Sequence, residues 1–304
     1  MKLRLGTRGS RLALVQTGQV AEALRARGVE SEIVVIRTSG DRLADVALAD
    51  FGGKALFVRE IEEALLEGRV DAGVHSLKDM PAELPDGLSL PAFPAREDPR
   101  DVLLTRSGGG LDDLPRGARV ATSSLRRRVL LLARRPDLSI EPIRGNVDTR
   151  LRKLDEGLCD ALVMARAGLE RLGIKHEHAH TLGVDEFLPA VGQGILGVET
   201  RAADARALEA LRAVDHPGTR TQALAERAFL RRLGAGCHTP VAGHARIVGG
   251  ALVIAGLVAS IDGATVLAGE ITGPGSDAEA LGKRLADDLL GRGARRLLEA
   301  GGGA

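Results

Sequence analysis

Residues 119–164 read RVATSSLRRRVLLLARRPDLSIEPIRGNVDTRLRKLDEGLCDALVM, and the alternation inside this stretch decides the fold. Arg119 to Ala121 is a short β-rich run, and Ser124 to Ala133 has the apolar spacing of an amphipathic helix. Ser139 to Ile143 returns to a strand pattern, Val147 to Leu154 reads as a second helix, and Asp160 to Met164 as an apolar strand. A β-α-β-α-β series predicts an α/β architecture of largely parallel sheets, with ligands held where loops leave the carboxyl ends of strands.

Toward the N-terminus the same alternation recurs. Leu3 to Leu5 reads as a strand, Ser10 to Ala26 as a helix, Glu32 to Arg37 as a strand, Phe57 to Leu66 as a helix and Val70 to Val74 as a strand. The prolines at 81, 85, 91, 94 and 99 mark a crossing between two lobes. Toward the C-terminus the pattern changes to a helix from about Thr219 to Leu233, a glycine-rich turn around Cys237, and three β runs. Gly249-Gly250 and Asp262-Gly263 separate those runs as hairpin signals, and a helix from about Asp277 to Leu290 follows. A chain of 304 residues has room for two or three cores. The expected architecture is two α/β domains plus a small α+β C-terminal domain with a three-stranded antiparallel sheet. The expected divisions are 1–95 with 191–214, 96–190, and 215–304.

Composition excludes several function classes. With 44% hydrophobic and 27% charged residues the chain is globular, not disordered. It holds five Phe and no Trp or Tyr, which argues against aromatic platforms for single-stranded nucleic acid. A net charge of +1 gives no global field for nucleic acid or membrane. The two cysteines, Cys159 and Cys237, allow no disulfide framework, and no signal-like apolar run opens the chain, so a cytoplasmic protein is expected. The charge is unevenly placed: Arg116 to Lys153 holds ten Arg and one Lys against three acids. Arginine's planar fork suits carboxylates and phosphates, so a local anion site is expected there.

Three motifs carry chemistry. VHSLKDMP (74–81) ends a strand in a polar cluster before a proline; Asp79 reads either as an acid, base or cation stabiliser beside Lys78, or as a turn cap. ATSSLRRR (121–128) and IRGNVDTR (143–150) each join a strand to a helix start, where backbone N–H groups and arginines gather. Each reads as half of an anion site bracketing a polyanion, or as an ordinary capped helix with solvated arginines. LGAGCHTPV (233–241) puts Cys237 in an open glycine turn with Arg231, Arg232 and His238 nearby, suited to a reactive thiol, whereas Cys159 enters an apolar strand and reads as core. Gly52-Gly53-Lys54-Ala55 lacks the first glycine and the hydroxyl of a phosphate loop, and His176, His178 and His180 read as a solvated loop instead of a metal site.

Taken together, TRGSRLALVQ, TSGD, GGKALFVREIE, VHSLKDMP, TSSLRR, IRGNVDTRL, ARAGLERLG, LPAVGQG and the cysteine turn resemble the porphobilinogen deaminase (hydroxymethylbilane synthase) family over essentially the whole chain. The departures are Ala235 where glycine is frequent and His238-Thr239 within the turn. The resemblance implies two periplasmic-binding-protein-like domains with a cleft between them. It also implies a third domain whose cysteine, here Cys237, carries a dipyrromethane cofactor through a thioether. Four porphobilinogens are then added head to tail onto this primer with loss of ammonia, and hydroxymethylbilane is released for tetrapyrrole (haem, sirohaem, chlorophyll or cobalamin) biosynthesis. The resemblance assigns catalysis to Asp79 and carboxylate binding to Arg8, Ser10, Lys78, Ser124, Arg126, Arg127, Arg144 and Arg150, with Arg171 in the same region. Gln193 falls on the return crossing, Asp41 in the cleft, and Lys54 and Phe57 in a loop covering it. A monomer is implied, with product passing to uroporphyrinogen III synthase, and neither metal, nucleic acid nor membrane is expected. Two other readings compete: a two-lobed protein that binds a carboxylate ligand without chemistry, and a Cys237-His238 hydrolase.

Overall fold

The computed structural model describes residues 2–36, 58–236 and 239–301. The first sheet has the order β2-β1-β3-β10-β4, formed by β1 (Lys2–Thr7), β2 (Glu30–Val35), β3 (Ala72–Ser76), β4 (Leu88–Ala92) and β10 (Leu196–Arg201). The second has the order β7-β6-β8-β5-β9, from β5 (Asp101–Thr105), β6 (Arg119–Ala121), β7 (Ser139–Glu141), β8 (Ala161–Ala165) and β9 (Ala179–Thr181). The chain therefore leaves the first sheet after β4 and comes back to it at β10.

Helices cover these sheets for the reason the alternation gives: each buries one apolar stripe. The first sheet carries α1 (Arg11–Arg25), α2 (Arg59–Leu66) and α6 (Ala205–Arg212), with Leu3, Leu5, Val20, Leu24, Val198 and Leu211 in one core layer. Ile61 and Leu65 of α2 pack with Val70 and Leu88 in another. On the second sheet lie α3 (Leu125–Arg134), α4 (Val147–Asp155) and α5 (Arg166–Arg171). Cys159 is buried at 2% exposure among Ile143, Leu154 and Leu162, the core position expected of it.

The expectation of largely parallel sheets needs a correction. β1 pairs in parallel with β2 and β3, and β6 with β7 and β8, but β10 runs antiparallel to β3 and β4, and β5 antiparallel to β8 and β9. Strands joined by a helix must run parallel, whereas β5 and β10 enter their sheets from the crossings and are free of that constraint. The proline-marked segment also contains a strand, β4, which holds Pro91 because it lies at a sheet edge.

The third sheet is an antiparallel meander of β11 (Val241–Val248), β12 (Ala251–Ala259) and β13 (Val266–Pro274). Gly249 and Gly250 form its first turn with φ of 57° and 84°, the left-handed pair that a two-residue hairpin demands. It packs on α7 (Pro217–Leu233), α8 (Ala278–Gly291) and α9 (Ala294–Gly301) through Phe229, Ile254, Leu281 and Leu285. Ala242, Leu257 and Ala259 also join Val129 and Leu131 of α3 in one core, which docks the meander on the second sheet.

Candidate active site

The polar cluster follows β3, whose residues Ala72 to His75 are all buried. Ser76 ends the strand, accepts a hydrogen bond from Gln16 Nε2 at 2.8 Å, and leads into a single tight turn over Leu77–Asp79. Leu77 and Met80 are buried, and between them Lys78 is partly buried, its Nζ donating to Gln193 Oε1 at 3.5 Å. Asp79 is exposed, and among the described residues nothing donates a hydrogen bond to its carboxylate, so no turn cap is formed. Burial pushes the Lys78 ammonium down to about 8 against the pull of Asp79, and the charges of Arg127 and Arg126 press the same way as burial.

The second sheet supplies the cations. β6 and β7 are parallel neighbours, so the two strand-to-helix junctions do lie side by side, stitched by Ser123 Oγ, which donates to Ile143 O at 2.6 Å and accepts from Ile143 N at 3.0 Å. Ser124 caps α3 by accepting from Arg127 N at 3.4 Å, and Asn146 caps α4 by accepting from Thr149 N at 3.0 Å. Arg126 and Arg127 are 4% and 7% exposed, not solvated. Arg150 is half-buried, donates Nε to Gly145 O at 2.8 Å, and has its ordinary value lowered by burial and by Arg127 while Asp79 raises it. Lys78 and Asp79 from the first sheet thus share one electrostatic neighbourhood with Arg126, Arg127 and Arg150 from the second. Arg144 is not drawn in; its side chain is exposed.

The partner of the two buried arginines is Asp101, which the sequence reading did not single out. Its carboxylate is fully buried, with Oδ1 at 2.7 Å from Arg127 Nη2 and Oδ2 at 2.7 Å from Arg126 Nη2. Burial alone would raise its carboxyl; Arg126 and Arg127 outweigh that and hold it below the ordinary aspartate range. The Arg126 guanidinium also lies over the Phe187 ring, 5.7 Å from its centroid.

The remaining candidates fall in three places. Ser10 caps α1 by accepting from Ala13 N at 3.3 Å, and Arg8 is half-buried just before it. Gln193 and Arg171 sit at the crossings. Gln193 Nε2 donates to Pro99 O at 2.6 Å, while Arg171 pairs with Glu97 at 2.8 Å and donates to Gly194 O at 3.0 Å. Arg171 therefore ties the outgoing segment to the returning one, with its guanidinium already engaged by the protein. Asp41, Lys54, Phe57 and Cys237 lie outside the described residues.

Two further buried clusters were not anticipated. Glu226 of α7 accepts from Arg96 Nη1 at 2.6 Å, Gly192 N at 2.6 Å and Ala245 N at 2.7 Å, so one carboxylate joins both crossings to the third sheet. His75 on β3 lies 3.2 Å from Glu199 on β10, and burial, then the charge of Glu199, raises Glu62 on α2 to about 7. No local pattern marks these acids, because their partners are distant in sequence, Arg96 lying 130 positions from Glu226.

Two sheets crossed twice by the chain, with an exposed carboxylate and, among the described residues, several cations where they meet, define a two-lobed α/β protein. Residues 3–209 match the family description "Porphobilinogen deaminase, dipyromethane cofactor binding domain", and residues 220–291 match "Porphobilinogen deaminase, C-terminal domain". The chain belongs to the porphobilinogen deaminase family. It is 52% identical over 296 residues to the porphobilinogen deaminase of Desulforudis audaxviator, covering 97% of this chain and 96% of the relative. The porphobilinogen deaminase of Syntrophobacter fumaroxidans is 49% identical over 299 residues, covering 98% and 97%. Among solved structures, a YaeC-family lipoprotein of Enterococcus faecalis aligns with 71% of the chain and 91% of its own at a TM-score of 0.44 and 13% identity.

Proposed function

We propose that the protein is a transferase that condenses four porphobilinogen molecules head to tail, with release of ammonia, to give hydroxymethylbilane. The observation that carries the reading is the placement of Asp79, an unencumbered carboxylate, beside Lys78 and Arg150 at the meeting of the two lobes. Loss of ammonia from porphobilinogen leaves an azafulvenium whose positive charge reaches the pyrrole nitrogen. A carboxylate about 4 Å away at an effective dielectric of about 20 offsets ~4 kcal/mol, or about three decades of rate if felt only in the transition state.

The substrate and a dipyrromethane both carry acetate and propionate groups, and the residues present fit them. Among the described residues, Lys78, Arg126, Arg127 and Arg150 stand against Asp79 and Asp101, and the buried Arg126 Nε has no hydrogen-bond partner. When bound, the dipyrromethane supplies the pyrrole carbon to which the first unit is joined. In this proposal Cys237 is its thioether attachment point. Arg8, Ser10, Ser124, Arg144 and Gln193 line the ligand path, and Arg171 holds the crossings. Asp41, Lys54 and Phe57 keep the cleft roles that the family resemblance gives them. The division into 1–95 with 191–214, 96–190, and 215–304 belongs to the same reading, supported by the membership of the three sheets. So do a monomer in the cytoplasm and delivery of product to uroporphyrinogen III synthase. No helix among the described residues is long and apolar enough to cross a membrane.

Intact mass of the purified protein, with Ehrlich's reagent for pyrroles, tests the reading. A covalent increment of two pyrrole units, lost in Cys237→Ala and kept in Cys159→Ala, is the expected result. An unmodified wild-type protein that binds porphobilinogen without consuming it would instead establish a carboxylate-binding protein.

A further inference from the structure

Asp101 begins β5 at the point where the chain enters the second sheet. Its Oδ1 accepts from Arg127 Nε at 3.1 Å, Arg127 Nη2 at 2.7 Å and Gln193 Nε2 at 3.1 Å, and its Oδ2 faces Arg126 Nη2 at 2.7 Å. Arg127 Nη1 donates to Val163 O at 3.0 Å, so all three nitrogens of that guanidinium are held by the protein. Arg126 differs: Nη1 donates to Leu188 O at 2.9 Å, Nη2 meets Asp101, and Nε is buried without a hydrogen-bond partner among the described residues. Beyond Asp101 the network continues, since Gln193 Oε1 accepts from Lys78 Nζ at 3.5 Å. One polar chain therefore runs from the exit of β3, over the return crossing, to the first turn of α3.

Two adjacent guanidiniums repel, and burying both without a counter-charge is costly. Asp101 offsets part of that cost and contacts both, Oδ1 with Arg127 and Oδ2 with Arg126. We propose that Asp101 is a positioning residue for the carboxylate grip: it holds Arg126 and Arg127 side by side, leaves Arg126 Nε for an incoming carboxylate, and through Gln193 sets their spacing from Lys78. Arg127, held through Asp101 and Val163 O, also steadies Arg126 beside it. The inference rests on the functional reading above.

Wild-type protein is assayed first for the covalent pyrrole increment and for consumption of porphobilinogen; failure there is failure of the functional reading, not of this one. Against a wild type that passes, Asp101→Asn and Asp101→Glu are compared by intact mass, thermal midpoint, KM and the pH profile. Asp101→Asn is expected to raise KM at least about tenfold, a loss of ~1.4 kcal/mol, and to lower the fraction of protein carrying the increment. It also removes a charge that supports the Lys78 ammonium, so the alkaline limb of the profile moves to lower pH. Asp101→Glu keeps the charge but displaces it by a methylene, so the increment and the alkaline limb return to wild type while KM stays raised. A folded Asp101→Asn with wild-type KM, limb and increment overturns the proposal, even if its thermal midpoint falls. If Asp101→Asn does not fold, Asp101→Glu decides: a raised KM with the wild-type limb supports the proposal, and wild-type KM overturns it.

Discussion

The two strand-to-helix junctions of the second sheet are built alike and used differently. Each follows a parallel strand, each opens a helix with a capping side chain, and each carries arginines in its first turns. At 121–127 both arginines turn inward onto a buried aspartate; at 143–150 Arg144 stays exposed and Arg150 donates to a backbone carbonyl of its own junction. Local sequence made the junctions look equivalent. What separates them is a counter-charge that arrives from β5, 26 residues before Arg127.

The sharpest way to break this comparison is to remove one arginine from each side. Arg127→Leu leaves Asp101 buried with half its compensation and should cost about 3–5 kcal/mol in denaturant unfolding, with loss of the covalent increment. Arg144→Leu should stay within about 0.5 kcal/mol of wild type in the same unfolding experiment while raising KM for porphobilinogen. Equal losses of stability would erase the distinction. Next in size, Asp79→Asn tests the carboxylate that acts on Arg150 of the second junction. It should fold and retain the increment, yet lower turnover at least about a hundredfold, because an amide cannot offset the developing cation. Near wild-type turnover would take Asp79 out of the chemistry.

A pH series gives a smaller effect with a defined sign. The Lys78 ammonium is lowered from the ordinary 10.5 to about 8, chiefly by burial, so the folded state releases that proton first. Between about 8 and 10.5 the unfolded chain binds more protons at this site, and the contribution of Lys78 to stability therefore rises with pH across that window. Its grip on a carboxylate declines over the same range, so KM should climb above pH 8 while the site's share of stability improves. The smallest effect concerns the packing beneath the second junction. Cys159 lies with Ile143 and Leu154, and Cys159→Ala should cost about 1 kcal/mol through a small cavity, measured by thermal unfolding, with the increment intact.

Much of the fold was legible because it is written in local period. The helices that begin at Arg11, Leu125 and Val147 and the strands β6 and β8 follow apolar spacing and form within a residue or two of where the pattern puts them, and β11 and β12 flank the Gly249-Gly250 turn as expected. β4, β5, β9 and β10 were missed for a common reason. β4 contains a proline, β9 is a three-residue polar run, and β5 and β10 owe their place to the crossings, which no period records. The site divides in the same way. Asp79 and the arginines stand in recognisable runs, so the candidates could be listed; their company could not. Asp101 opens an otherwise apolar strand, Glu226 sits mid-helix among alanines and arginines, and Glu199 follows a valine in β10. Each takes its meaning from a partner that only the folded chain brings close.

The position of Glu226 bears on how the protein comes apart. Its carboxylate is fully buried, and its ligands are one arginine from the outgoing crossing, one amide from the returning crossing and one amide from β11. Detaching the third sheet, or either lobe, strips donors from a charge that has no water to replace them, and a buried charge left unpaired costs several kcal/mol. Partial opening is therefore penalised at a place where all three parts meet. The chain should melt in a single cooperative transition, with calorimetric and van't Hoff enthalpies in agreement, although its size alone would permit three.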